Sequence, residues 1–442
     1  MTATLTTLPV ETHLLERLQE ARRRTDDLFA IVKRDSLYER PIPERHRIIF
    51  YIGHLEAFDW NLLSERVFGL KAFQPELDRL FAFGIDPVGG GLPDDQPSDW
   101  PRFDEVKSYA ARIRQILDQK IEKGGESVQE TEFPLQQLLH VAIEHRLMHA
   151  ETLAYMFHQL AFDHKSAPAV PSASQSNELV AQQMIDIPAG RATLGLARSC
   201  EDFGWDNEYE ICTVEVPLFA IDKFEVTNGQ YLDFLRARGY ETKSLWTEED
   251  WKWKVANEIS HPVFWKRKNA GWFFRGMFAE QPLPLNAPVY VSLAEARAYA
   301  VWAGKHLPTE AEWHRAAYGQ KDGRERAYPW GDAAPSQEFG NFNFADWNPT
   351  AVNAFPAGES AFGVADLIGN GWEWTATTFA PLPGFKAFAF YPGYSANFFD
   401  GKHFVMKGGS PRTAACMLRR SFRNWFQPHY QYVYAGFRCV QR

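Results

Sequence analysis

Between about Thr12 and His164 apolar residues return every three or four positions, as in Leu14, Leu15, Leu18 and Ala21, and again in Ile113, Ile116, Leu117 and Ile121. On a helix of about 3.6 residues per turn this spacing lays down one apolar stripe, so the segment predicts amphipathic helices. The stretch Phe133 to Ala161 reads as one long helix with Leu138, Leu139, Ala142, Ile143, Leu147 and Ala150 on its apolar side. A Gly-, Pro- and Asp-rich stretch, Gly84 to Pro101, interrupts the series as a long loop. Residues 1–164 are therefore expected to form a helical bundle.

Residues 165–183 (KSAPAVPSASQSNELVAQQ) are rich in Ser, Ala and Pro and read as a linker. From residue 184 to 442 the texture changes. Short strand-like pieces (Met184 to Ile187, Thr213 to Ile221, Val289 to Ser292) alternate with long irregular stretches. One helix is expected from Thr227 to Gly239. A second begins at Ser292, a candidate N-cap with Glu295 three places on, and runs to Trp302. Pro308-Thr309-Glu310 opens a third, through Ala317. At 442 residues the chain exceeds one ordinary core, so the expected class is α+β with two domains.

Composition narrows the function classes. The chain is 45% hydrophobic and 23% charged, the balance of a soluble globular protein. Its 15 Trp and 34 Phe fall mostly after residue 200, which points to an irregular fold filled with rings. A net charge of −9, with one short, interrupted basic cluster from Arg412 to Arg423, argues against a nucleic-acid partner. Four cysteines without a close pair argue against a disulfide framework or a Cys-rich zinc site. Residues 1–11 carry no charged region followed by an apolar core, and no apolar run reaches about 18 residues. The expected setting is reducing and cytoplasmic, without membrane insertion.

The sharpest chemical feature is His145-Arg146-Leu147-Met148-His149-Ala150-Glu151 on the long helix. Residues four apart lie one turn above each other, so both imidazoles can reach one metal ion. Glu151 lies about 200° around the helix from His149, which suits a supporting partner better than a third ligand. His54, in Ile52-Gly53-His54-Leu55-Glu56, interrupts an otherwise apolar helix-like run and is the candidate third ligand, because bundle sites are assembled from facing helices. His140, one further turn away, is a spare ligand or a surface residue. Three neutral imidazoles suit zinc, copper, iron or nickel, and three histidines plus a water is also a hydrolytic zinc arrangement. Spacing alone leaves open both the ion and the alternative of satisfied core histidines.

A helical bundle carrying His-x-x-x-His-x-Glu with an upstream Gly-His resembles the DinB-like domain of the ergothioneine sulfoxide synthases (the EgtB-like group) and of the ovothiol enzymes. The second half resembles the formylglycine-generating-enzyme domain, a modified C-type-lectin fold. Its marks, in family order, are Ile187-Pro188-Ala189-Gly190, Glu225-Val226-Thr227-Asn228, Leu307-Pro308-Thr309-Glu310-Ala311-Glu312-Trp313, Tyr328-Pro329-Trp330-Gly331, Gly369-Asn370-Gly371-Trp372-Glu373-Trp374, Gly408-Gly409-Ser410 and Gly436-Phe437-Arg438. The copper-binding cysteine pair of formylglycine-generating enzymes has no counterpart: Thr413 and Leu418 stand there, and nearby Cys416 is alone. The second domain is thus expected to form the substrate pocket.

The resemblance implies iron(II) held by His54, His145 and His149, with O2 as cosubstrate. The reaction implied joins a thiolate to an imidazole carbon of hercynine (Nα-trimethylhistidine) and gives a sulfoxide. Ser421-Phe422-Arg423-Asn424-Trp425 matches the segment flanking the betaine, which makes Arg423, Asn424 and Trp425 candidate substrate-binding residues. Trp425 suits a trimethylammonium through cation–π attraction, worth about 0.5–2 kcal/mol. Tyr391-Pro392-Gly393-Tyr394 matches the stretch supplying a catalytic tyrosine and a second pocket tyrosine, so Tyr391 and Tyr394 are both candidates.

Three departures bear on the substrate. Met148 stands where well-known members carry a Gln that bonds the substrate imidazole. Phe426 and Tyr430 replace an Asp and an Arg that grip γ-glutamylcysteine, which favours a smaller thiol such as cysteine. Phe83-Gly84-Ile85-Asp86-Pro87 replaces a Tyr-Tyr pair of the cysteine-using branch. The nearest alternative is a selenoneine synthase, which attacks the same imidazole with a selenosugar. An alternative of another class is a binding module stabilised by structural zinc.

Overall fold

The computed structural model describes residues 10–82, 94–123, 133–167, 180–200, 202–269 and 271–442. The chain divides into two compact units, Met1–Ala169 and Val170–Arg442.

The first unit is helical: α1 (Val10–Ile31), α2 (Ile48–Phe68), a short α3 (Pro75–Leu80), α4 (Phe103–Glu122) and α5 (Leu135–Gln159). Helix α1 packs along α5 and α2 along α4, with α2 against α5 and α1 against α4 closing a four-helix ring. Helices α2 and α5 bury residues on nearly every side, while α4 keeps a narrow buried stripe of Val106, Tyr109, Ala110, Ile113, Leu117 and Ile121. The two histidine-bearing helices are therefore the core of the unit, not its rim. Helix α2 stops at Gly69, whose φ of 59° lets its N–H turn back to the carbonyls of Glu65 and Ser64.

The Gly84–Pro101 stretch is described from Asp94 onward; Phe83 to Pro87 lie outside the described residues. Asp95 there accepts from Arg47 Nε at 2.9 Å, from the Trp100 indole at 2.7 Å, and from Arg40. This segment is thus fastened beside the start of α2. Past Gln159 the chain keeps its ties to the helices. Lys165 is buried, its ammonium donates to Phe157 O at 2.8 Å, and Ser166 N donates to Ile31 O at 2.8 Å.

The second unit carries β1 (Met184–Ile187), β2 (Gly190–Leu194), β3 (Cys212–Val216), β4 (Phe219–Asp222), α6 (Asn228–Arg236), α7 (Glu248–Ala256), β5 (Trp265–Lys268), β6 (Gly271–Arg275), β7 (Glu280–Pro282), α8 (Leu293–Trp302), α9 (Glu310–Tyr318), β8 (Gly371–Thr378), β9 (Phe404–Gly409), β10 (Asn424–Phe426), β11 (Ala435–Gly436) and β12 (Val440–Gln441). Among the described residues four small sheets run β1-β4-β12, β2-β3, β5-β6-β7 and β10-β9-β8-β11. Helices α6, α8 and α9 start at capping boxes led by Thr227, Ser292 and Thr309, paired with Gln230, Glu295 and Glu312.

Two expectations are corrected, and one helix lies outside them. Thr213 to Ile221 is two strands in different sheets, because Pro217 has no N–H to continue a ladder. Val289 to Ser292 forms no strand; Val289 and Val291 donate to Val226 and Ala435, bridging separate segments. Helix α7 was not anticipated, since Trp251-Lys252-Trp253-Lys254 alternates and lays down no apolar stripe.

Much of this unit's core is ring and ion. Trp205, Trp265, Trp313 and Trp374 are wholly buried. Glu373 accepts from the Trp313 indole at 2.9 Å and from Arg438 at 2.6 and 2.7 Å. Three motifs distant in sequence thus meet on one buried carboxylate. Gly436 is required nearby, because a Cβ there would meet Glu225 Oε1 at 2.5 Å. Among the described residues no helix is long and apolar enough to cross a membrane.

Candidate metal centre and aromatic cluster

Helix α2 carries His54 and α5 carries His145 and His149, all buried, with ligand atoms within 4.8 Å of one another. Nε2 of His149 lies 3.2 Å from Nε2 of His54 and 3.1 Å from Nε2 of His145. Nδ1 of His54 lies 2.8 Å from the Phe81 carbonyl, which can only accept, so that nitrogen carries the proton and Nε2 presents a bare lone pair. The rings are held by stacking: Phe58 lies on His145 at 3.5 Å and 11°, Phe50 on His54 at 4.8 Å and 21°.

The imidazoles are neutral. Burial pushes His54 down to about 4, against the raising effect of the Phe81 carbonyl and with the help of His46 and Arg146. Burial, then His149, His54 and Arg146, holds His145 well below its usual range; burial, then His54, Arg146 and Arg45, does the same to His149. The three Nε2 atoms converge in a dry interior, and a cation seated among them would use a lone pair from each neutral imidazole. Donors about 3 Å apart match adjacent ligands on one ion with bonds of about 2.0–2.2 Å. The residues present therefore fit a metal ion. His140 stands outside this cluster.

Behind the three histidines lies an ion cluster that helix periodicity alone does not reveal. Arg146, between the two histidines of α5, donates to Glu56 Oε1 at 2.9 Å, Asp59 Oδ2 at 2.8 Å and Leu55 O at 2.9 Å, all on α2. Arg114 of α4 reaches the same Glu56 oxygen at 2.7 and 2.9 Å. Burial alone would raise Glu56, but Arg146, Arg114 and Arg22 hold it at about 2.

In the second unit Asn424, Trp425 and Phe426 form β10, the edge strand beside β9, with Trp425 opposite Val405. Trp425 stacks on Phe379 at 4.2 Å and 8°, and meets Tyr394 at 5.5 Å and Phe398 at 5.6 Å. Tyr394 is buried and stacks on Trp205 at 3.9 Å; Tyr391 is less buried, 5.6 Å from Tyr394. Ser395 donates to Asp206 at 2.6 Å, fastening that turn. Phe426 and Tyr430 stack at 5.0 Å and 14°. Arg423, expected at the substrate, is buried; its guanidinium donates to Glu310 at 2.9 and 3.1 Å and to Ala380 O at 3.0 Å. Met148 is half-buried on α5. Sequence reading missed His429, which is bonded to Asp250 at 2.8 Å and stacked on Trp253 at 4.6 Å. Its partners lie on α7, so the signal was hidden with that helix.

The model of the sulfatase-modifying factor enzyme 1-like domain matches residues 169–442, and that of the DinB superfamily matches residues 17–153. The chain is 32% identical to the hercynine oxygenase of Mycolicibacterium smegmatis over 97% of this chain and 98% of that protein. It is 38% identical to the hercynine oxygenase of Mycobacterium tuberculosis over 56% of this chain, and spans 58% of that relative's length. Similarity to ergothioneine biosynthesis protein 1 of Neurospora crassa is 26% over 93% of this chain and 55% of that protein. The chain belongs to the hercynine oxygenase family, in which a DinB-like unit is joined to a sulfatase-modifying-factor-like domain.

Proposed function

We propose that the protein is an iron(II)- and O2-dependent hercynine oxygenase that joins the imidazole of hercynine to a thiol, cysteine foremost, and yields a sulfoxide. The observation that carries this reading is the convergence of three buried, neutral imidazoles in a chain related to a hercynine oxygenase over 97% of its length. Ferrous iron, when bound, supplies the redox chemistry by which dioxygen is reduced.

His54, His145 and His149 would hold that ion without adding charge, and Phe50 and Phe58 keep their rings from turning. Trp425, backed by Phe379 and edged by Tyr394 and Phe398, is the candidate seat of the trimethylammonium. Asn424 beside it is the candidate hydrogen-bonding partner of the betaine. Arg423 lies 5.0 Å over the Phe379 ring while paired with Glu310, which supports a role in steadying Trp425 instead of touching substrate. Tyr394 is packed between Trp205 and Trp425, leaving Tyr391 as the candidate proton donor.

One observation favours a second donor. The stacked Phe426–Tyr430 pair is a platform of the kind on which a sugar ring lies, so a selenosugar is the alternative nucleophile. Anaerobic reconstitution with Fe(II), followed by hercynine, O2 and either cysteine or a selenosugar, tests both. Oxygen uptake with a sulfoxide adduct supports the first reading, and faster turnover with the selenosugar the second. Stoichiometric zinc in protein purified without added metal, with no adduct from either donor, would sink both and favour a structural metal site.

A further inference from the structure

We propose that Arg146 is a positioning residue that sets the register of α5 against α2 and thereby keeps the three imidazoles converged before any metal arrives. The inference rests on the reading of the histidine triad as a metal centre. Two of the ligands stand on α5 and the third on α2, so their spacing depends on how those two helices are set along and around each other. On a helix at about 100° per residue, Arg146 points about 60° away from His149, toward α2. Its guanidinium is wholly buried and, besides a long bond to Thr25 of α1 at 3.5 Å, donates to three α2 groups, Leu55 O, Glu56 and Asp59, which follow His54 by one, two and five residues.

The acceptors are themselves fixed from the other two long helices. Arg114 of α4 grips Glu56 and also holds Asp26 of α1 with both outer nitrogens, at 2.6 and 2.8 Å. Arg22 of α1 lies 4.0 Å from Glu56 and 3.9 Å from Asp59, and bonds Asp118 of α4 at 2.5 Å. Three arginines and four carboxylates thus join all four helices at the level of the ligands.

Such a cluster is a poor choice for stability alone, because apolar side chains of similar volume would fill the space as well or better. What it supplies is direction. Apolar contacts tolerate sliding, whereas a guanidinium fork donates to its partners in one plane and at one reach. A slip of one residue along a helix is about 1.5 Å, and a metal site tolerates about 0.5 Å. Sliding that a greasy interface would accept is therefore enough to separate His54 from His145 and His149.

The test uses the full chain and cobalt(II) alone as the probe, with no substrate. Arg146→Lys, Arg146→Met and the triple variant Arg146→Met/Glu56→Met/Asp59→Leu are compared with wild type. Far-UV circular dichroism and thermal midpoints report folding; chelator competition and the cobalt absorption bands report affinity and ligand geometry. The triple variant, which leaves no orphaned charge on α2, is expected to fold. It should bind cobalt about 10- to 100-fold more weakly and with shifted bands. Arg146→Lys should fall between the two. A folded triple variant with wild-type affinity and spectrum overturns the proposal. Failure of every variant to fold overturns it as well, since the cluster would then be a folding device. Wild-type protein that takes up no cobalt brings down the metal reading beneath it. Because no turnover is measured, a different reaction at the same metal would leave the result intact.

Discussion

Acid should destabilise the metal-free protein well before Glu56 takes up a proton. His54 is held near 4 in the folded chain against an ordinary value of 6.5. Between those limits the unfolded chain carries a proton on this ring and the folded chain does not. Stability therefore falls as pH drops through the window and is fully present above 6.5. At about 1.36 kcal/mol per decade of proton concentration, His54 alone removes about 2 kcal/mol by pH 5 and about 3 kcal/mol by pH 4. His145 and His149, both shifted the same way, steepen the loss toward a limit of about 4 kcal/mol per pH unit for three protons. Glu56 acts in a separate window. Held at about 2 against 4.5, it keeps its contribution above 4.5 and loses it only in stronger acid. The assay is urea denaturation of chelator-treated protein between pH 7.5 and 4, followed through the helical signal to which α1, α2, α4 and α5 contribute most. Added divalent metal should push the acid limb to lower pH, because bound ligands cannot accept protons. A midpoint that stays flat between pH 7 and 4.5, or a His54→Gln variant with the wild-type slope, would refute the account of three dry, neutral imidazoles.

Two further outcomes follow from the second unit. Trp425→Leu should weaken hercynine binding by about 2- to 30-fold, the equivalent of 0.5–2 kcal/mol, measured calorimetrically; Trp425→Phe should lose less, and an unchanged affinity would remove Trp425 from the betaine site. Glu310→Gln should cost about 3–5 kcal/mol in urea denaturation, because Arg423 would be left buried against a neutral partner; a loss below 1 kcal/mol would show the pair to be dispensable.

The parts of the fold written in local spacing were legible. Helix α5 follows from its apolar period, and the start of α8 from Ser292 placed three residues before Glu295; the structure shows the same device at Thr227 of α6 and Thr309 of α9. The convergence of the histidines was also legible, because i and i+4 on a helix brings two imidazoles to one side at once. What stayed hidden depends on contacts between segments far apart in sequence. Arg146 reads as one more polar residue on α5 until Glu56 and Asp59 are seen across the helix interface. His429 gains meaning only from Asp250, 179 residues earlier, on a helix that carries no stripe. Arg423 sits beside the aromatic segment in sequence, but its charge is spent inward on Glu310. Neighbours along the chain do not say which way a side chain turns.

The last strands have a consequence for how the second unit is made. Strand β11 lies parallel to β8 at Trp372 and Glu373, while β12 closes the edge of β4 at Ile221, more than 200 residues earlier. Until Ala435–Gln441 have left the ribosome, two sheets expose open edges and Glu373 lacks its arginine. Closing loops of that length is entropically slow, and open edges invite pairing with other chains. The two sheets of this unit are thus expected to close late in folding, and the form still lacking β11 and β12 is the stage most in need of a chaperone.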